Sequence, residues 1–215
     1  MNINYENYKN AIIRALENTN HSQLNEEILS IPGMSGKQFR HFINRLLSNS
    51  CFKKYLEIGV WSGSTSISAL YGNHEKIKYT LIDNFSEFGG PKNAFLQNWE
   101  KFIKSDPNLI DEDCFQISLK EKNISNIDVY FYDGGHKEID HYKALQYYYE
   151  SMNDCFIYIV DDWAWKQVKD GTNAAIQDLN LNVLFNIQIV EMDNYEVSES
   201  ERWWNGCSIY ILEKK

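Results

Sequence analysis

Between residues 51 and 161, short apolar runs alternate with stretches whose apolar side chains recur every three or four positions. The runs predict strands at Tyr55–Val60, Lys78–Asp83, Cys114–Ser118, Asp128–Asp133 and Cys155–Asp161. Nearly continuous apolar strands separated by helices imply a parallel sheet covered on both faces. The pattern then changes: Val183, Phe185, Ile187 and Ile189 alternate with more polar neighbours, and Cys207 to Leu212 follows after only a loop. This predicts an antiparallel pair closing one edge. The fold class is therefore α/β, a Rossmann-like doubly wound sheet of seven strands, mostly parallel.

Ahead of this region, residues 1 to 50 read as helical. Ser35 and Gln38 resemble a capping box, and Phe39, Phe42, Ile43, Leu46 and Leu47 then repeat at helical spacing. Ile31-Pro32-Gly33 separates this helix from an earlier one spanning Tyr5 to Leu16. Residues 1–50 are expected to form a helical extension or lid, and residues 51–215 the main domain.

At 215 residues the chain suffices for one sizeable core. Its net charge of −9 argues against a nucleic-acid partner, which demands many phosphate contacts. Met1 to Asn10 is polar and lacks the order of a signal peptide, and the longest apolar runs, such as Cys155 to Val160, cannot span a bilayer. A cytoplasmic protein with no membrane partner is expected. Cys51, Cys114, Cys155 and Cys207 form no CxxC pair and read as reduced structural thiols. The N-terminal helices offer a surface for pairing subunits into a homo-oligomer.

In a doubly wound sheet, ligands bind beyond the carboxyl ends of the strands. The first such end reads Glu57-Ile58-Gly59-Val60-Trp61-Ser62-Gly63-Ser64-Thr65, where two glycines permit a tight turn and close approach of a ligand. The glycines are four apart, and Trp61 stands where a dinucleotide loop places its second glycine, so a pyrophosphate loop is disfavoured. The second strand ends in Asp83, a group suited to accept from ribose hydroxyls. On the loop alone, a purely structural strand-to-helix turn stays open.

Taken together, Glu57-x-Gly59-x-x-x-Gly63 and Asp83 resemble the cofactor signature of class I S-adenosylmethionine-dependent methyltransferases, over residues 51–215. The resemblance implies that Gly59 to Gly63, with Glu57, Trp61 and Thr65, wrap the methionine end of S-adenosylmethionine. It further implies that Asp83 holds the ribose, that Ser118 lies near the adenine, and that Asp133 borders the cofactor.

The fourth predicted strand ends in Asp133-Gly134-Gly135-His136 and the fifth in Asp161-Asp162. Carboxylates emerging above adjacent strands suit a hard cation such as Mg²⁺ or Mn²⁺. The pattern is similar to metal-dependent O-methyltransferases, and Asp-Gly-x-His resembles the macrocin and mycinamicin type that methylates sugars on natural products. That resemblance implies Asp133, Asp161 and Asp162 as metal ligands and His136 as the base, with Asp133 and His136 the catalytic pair. A divalent cation polarises a hydroxyl and an imidazole near neutrality removes its proton.

Other readings stand beside this one. Asp133 and Asp162 also suit helix capping, and His136 a supporting or solvated position. A metal-dependent hydroxylase on the same scaffold is an alternative, although no His-His-carboxylate set for iron is visible. A non-catalytic adenosyl-binding module is another. Trp163, Trp165, Trp203 and Trp204 fall in loops near the predicted active end, where they either stack on a small acceptor, a sugar or an aromatic, or pack the core. Phe85 to Pro91 reads as a cover with glycine hinges or as a plain loop.

Overall fold

A computed structural model describes residues 3–17, 22–190 and 201–215. Three helices come first, α1 (Ile3–Glu17), α2 (Glu26–Leu29) and α3 (Lys37–Leu47). The alternating region follows as β1 (Lys54–Ile58), α4 (Ser64–Leu70), β2 (Lys78–Ile82), α5 (Lys92–Phe102), β3 (Leu109–Ile110), β4 (Ile127–Tyr132), α6 (Glu138–Tyr148), β5 (Met152–Asp161) and α7 (Lys166–Asp178). Two strands, β6 (Asn182–Ile189) and β7 (Cys207–Glu213), complete the chain. The sheet order is β3-β2-β1-β4-β5-β7-β6. Its first five strands are parallel, and β7 runs antiparallel to both β5 and β6.

Because strand side chains alternate in direction, each central strand feeds two cores. Along β4, Val129 and Phe131 join one core while Tyr130 and Tyr132 join the other. The first core lies under α1, α3, α4 and α5, so Ile12 and Phe42 pack in the same cluster as Ile157 and Ile209. The N-terminal helices thus cover a sheet face that would otherwise expose a row of aliphatic side chains to water. The second core lies under α6 and α7, with Leu145, Val168 and Trp163 against the tyrosines of the sheet.

One predicted strand is corrected. Residues 114–118 form turns, and the strand at this edge is the two-residue β3, paired with Leu81 and Ile82. The Asp113 carboxylate accepts from the Phe115 N–H at 2.8 Å and its carbonyl from the Gln116 N–H at 2.9 Å, which curls the chain before it can pair. The apolar character that suggested a strand belongs to Ile117, a buried anchor in the second core. No helix among the described residues is long and apolar enough to cross a membrane, and all four cysteines are free.

At the amino ends of the strands, Asp128 joins four segments. Its carboxylate accepts from the Tyr8 hydroxyl at 2.8 Å, the Lys53 and Lys54 N–H groups at 2.6 and 2.9 Å, and Asn153 Nδ2 at 2.7 Å. Replacing it by alanine strands these donors in a site only 5% exposed. Asp128→Ala is expected to lower the unfolding free energy by about 3 kcal/mol or more in urea titrations. A loss below about 1 kcal/mol would show that water takes over the four bonds.

Candidate active site

The carboxyl ends of β1, β2 and β4 meet at Gly59. Its N–H donates to the Ile82 carbonyl at 3.0 Å, and the Asp133 N–H donates to the Ile58 carbonyl at 2.9 Å. Gly59 has φ +88°, and a Cβ there would sit 1.8 Å from the Asp133 carbonyl oxygen. Glycine is therefore required both by conformation and by the approach of β4. The turn continues through Trp61, also left-handed at φ 47°, to Gly63 at the start of α4.

Asp83 organises this turn from the end of β2. One carboxylate oxygen accepts from the Val60 and Trp61 N–H groups, both at 2.7 Å, and the other from the Phe85 N–H at 2.6 Å. The two loops are tied again where Trp61 Nε1 donates to the Phe88 carbonyl at 3.1 Å. On the far side, the Ser62 hydroxyl donates to the Pro32 carbonyl at 2.5 Å, bringing the α2–α3 connection and Met34 to the same opening. Buried Arg40 holds that connection by donating to the Ile28 and Leu29 carbonyls and, across to α4, to the Ser68 hydroxyl.

A cavity of about 590 Å³ opens above these strand ends. It is lined at one side by Gly59, Trp61 and Asp83, at another by Glu112 to Phe115, and at its far end by Asp133 to Lys137, Asp161 and Asp162. The volume is in the range of small-ligand sites. Of the positions singled out in the sequence, Gly59, Trp61, Asp83, Asp133, His136, Asp161 and Asp162 are brought together on this one cavity. Glu57, Gly63, Thr65 and Ser118 do not line it. Gly63 and Thr65 set the turn and the first residues of α4, and exposed Ser118 accepts from the Glu121 N–H at 3.3 Å.

Glu57 is fully buried behind the turn, where its Oε2 accepts from the Tyr55 hydroxyl at 2.8 Å and its Oε1 has no hydrogen-bond partner among the described residues. Burial pushes its carboxyl up to about 8, because the interior penalises the charged form.

The far end carries the polar chemistry. His136 Nε2 lies 2.7 Å from Asp162 Oδ2 and 3.9 Å from Asp133 Oδ1. Asp133, His136 and Asp162 each offer one ligand atom, all within 4.8 Å of one another. Asp161 lines the cavity beside this trio. Burial raises the Asp133 carboxyl, and repulsion from Asp162 adds to it; Asp161 is raised further by burial and by both neighbours. The neighbouring carboxylates of Asp133 and Asp162 favour the charged imidazole and raise His136 to about 10. Close-set acids that resist ionisation together are what a cation relieves, so the carboxylates fit a divalent ion with oxygen ligands, beside which the His136 imidazole stands.

Asp162 adopts φ +53°, uncommon for a residue with a side chain. Neighbours hold it there: Asn205 Nδ2 donates to its Oδ1 at 2.6 Å, the Ala164 N–H to the Asn205 carbonyl, and the Trp165 N–H to the Asp162 carbonyl. Asn205 precedes β7, and no sequence signal marked it. Glu112 to Phe115 line the cavity although no sequence signal marked Glu112 and Asp113, and Cys114 and Phe115 fall in the expected strand Cys114–Ser118. The tryptophans divide evenly: Trp163 and Trp203 are buried in the two cores, while Trp165 and Trp204 line the cavity. Trp165 sits edge-on to His136 with ring centroids 5.1 Å apart.

This strand order, with β7 reversed between β5 and β6 and the cavity above the β1–β4 switch, is the fold of class I methyltransferases. An O-methyltransferase from Bacillus cereus in complex with S-adenosylhomocysteine superposes with TM-score 0.65 at 12% identity, over 96% of this chain and 100% of that one. The S-adenosylhomocysteine-bound methyltransferase of Podospora anserina gives 0.61 at 13% identity, over 95% and 88%. The O-methyltransferase TomG from Streptomyces achromogenes, involved in tomaymycin synthesis and in complex with S-adenosylmethionine, gives 0.60 at 12% identity, over 93% and 89%. No family model and no curated protein sequence matches the chain.

Proposed function

We propose that this protein is an S-adenosylmethionine-dependent O-methyltransferase acting on a small polar acceptor, with Mg²⁺ or Mn²⁺ held by the Asp133, Asp161 and Asp162 group. The observation that carries the reading is the meeting, on one cavity, of the Gly59–Gly63 turn clamped by Asp83 and the acid–imidazole cluster around His136. The neighbours crystallised with S-adenosylmethionine or its product support it through the shared fold.

The methyl of S-adenosylmethionine is already activated, so the protein's share is alignment and proton removal. The turn from Gly59 to Gly63 and Asp83 would hold the donor, with Glu112 to Phe115 bordering its adenosyl end. In the transfer, the acceptor oxygen bonds to the methyl carbon as the carbon–sulfur bond breaks, the electron pair stays on sulfur, and the hydroxyl proton goes to His136. The carboxylates around His136 favour its protonated form, which opposes uptake of that proton. A divalent cation at Asp133 and Asp162 would polarise the hydroxyl and cancel the negative field that holds the His136 proton. Trp165 flanks His136 edge-on, with ring centroids 5.1 Å apart.

Calorimetry tests the donor half directly. Both S-adenosylmethionine and S-adenosylhomocysteine should bind, and Asp83→Ala should weaken both by about tenfold or more, since it frees three backbone donors that shape the turn. No heat from either ligand would sink the methyltransferase reading.

A further inference from the structure

The cavity lining names an acceptor class, an inference that rests on reading this cavity as the methyl-transfer site. Eight carboxylates line it against one lysine, Lys137, and one histidine. The charge of a cationic methyl donor and a divalent ion leaves that lining net negative. A cleft of one sign repels ligands of that sign and concentrates the opposite one.

Most of these carboxylates are already engaged by the protein. Asp83, Asp113, Asp140 and Asp162 accept from N–H groups of the chain, and Glu112 pairs with Lys122. Glu87 is different: it is exposed on the segment after β2, and its carboxylate has no hydrogen-bond or ion-pair partner among the described residues.

A second observation points to a ligand at the same rim. Phe88, Trp165 and Met34 are 59%, 37% and 41% exposed, and all three line this cavity. Large apolar side chains gathered on one opening mark a surface that a partner covers. Aromatic side chains and a free carboxylate lining one cavity suit a cation better than a neutral polyol, because ring quadrupole and carboxylate both attract positive charge.

We propose that the acceptor is a hydroxylated amine, bound with its ammonium at Glu87, its apolar face on Phe88 and Trp165, and its hydroxyl at the Asp133–His136–Asp162 end. An acceptor carrying a phosphate or carboxylate in place of the ammonium is disfavoured, because it would face Glu87 and a lining whose one lysine is Lys137.

The test uses the full chain with S-adenosylmethionine and Mg²⁺ and a matched panel: amino sugars and catecholamines, each as the free amine, the N-acetyl form and the N-succinyl form. Methyl transfer and, separately, tryptophan fluorescence of the S-adenosylhomocysteine complex report on each compound. The free amine of at least one series should be preferred over its N-acetyl form by about fivefold to tenfold, and the N-succinyl form rejected. Glu87→Gln should bring the amine-to-acetyl ratio towards one while S-adenosylhomocysteine affinity is retained. Equal or better use of the N-succinyl forms, or an unchanged ratio in Glu87→Gln, overturns the proposal. So does a panel in which nothing binds or reacts although S-adenosylhomocysteine binds, which leaves the methyltransferase reading standing. Loss of S-adenosylhomocysteine binding by the unmodified protein removes that reading itself.

Discussion

Gly59→Ala is expected to lose S-adenosylhomocysteine binding and to destabilise the protein by about 3 kcal/mol or more. Two effects combine. At φ +88° an alanine is strained by about 1 kcal/mol, and its Cβ would fall 1.8 Å from the Asp133 carbonyl, a backbone atom that no rotamer change can move aside. Relief requires β1 and β4 to separate at the switch point, which displaces Asp133 from His136 and Asp162. Gly89→Ala isolates the first effect. That residue has a similar φ of +85°, but a Cβ there meets nothing within 4 Å, so it should cost only about 1 kcal/mol. Urea titration and calorimetry on both variants give the comparison. Equal losses would mean that the contact with β4 is unimportant.

The second large effect concerns the acid cluster. Treatment with EDTA should abolish methyl transfer, Mg²⁺ or Mn²⁺ should restore it, and Asp133→Ala and Asp161→Ala should each reduce turnover by about a thousandfold. Stability supplies a readout independent of the acceptor. Asp133, Asp161 and Asp162 repel one another in a buried setting, so a cation that binds them stabilises the folded state, by about 2.7 kcal/mol at a hundredfold excess over its Kd. A rise in melting temperature with Mn²⁺ that Asp133→Ala removes is the expected result. Full activity after EDTA, with no thermal shift, would leave His136 and its carboxylates as a metal-free acid–base group.

The alternation of apolar runs and helical periods was enough to read the doubly wound sheet, because strands buried on both faces have no polar side to disguise them. It was equally enough for the reversed edge, where half-exposed β6 alternates visibly. The pattern failed at β3. Two residues carry too little periodicity to register, while Ile117, anchoring a turn, imitated a strand. The glycine turn and Asp83 were legible because their spacing is local. Glu57 was legible as part of the motif, but only its burial separates it from the residues that face the cavity.

Asp133, His136 and Asp162 were visible as three acid–base groups at two strand ends. Their 2.7 Å and 3.9 Å separations are set by the register of β4 on β5, which no local feature encodes. The tryptophans make the same point. Trp163, Trp165, Trp203 and Trp204 look alike in sequence, yet two fill cores and two face the cavity, since neighbours distant in sequence choose their environments.

By itself, then, the sequence determined the class of sheet, the glycine turn at its first strand and the acids at the ends of the fourth and fifth. These depend on side-chain periodicity and backbone freedom within a few residues. Tertiary structure alone decided that Asn205 holds Asp162 in its left-handed turn, that Glu112 to Phe115 line the cavity in place of Ser118, and that Glu87 is left unpaired beside Phe88. Each depends on contacts or missing partners across long stretches of chain, where the free energy is that of the whole packing and not of any segment.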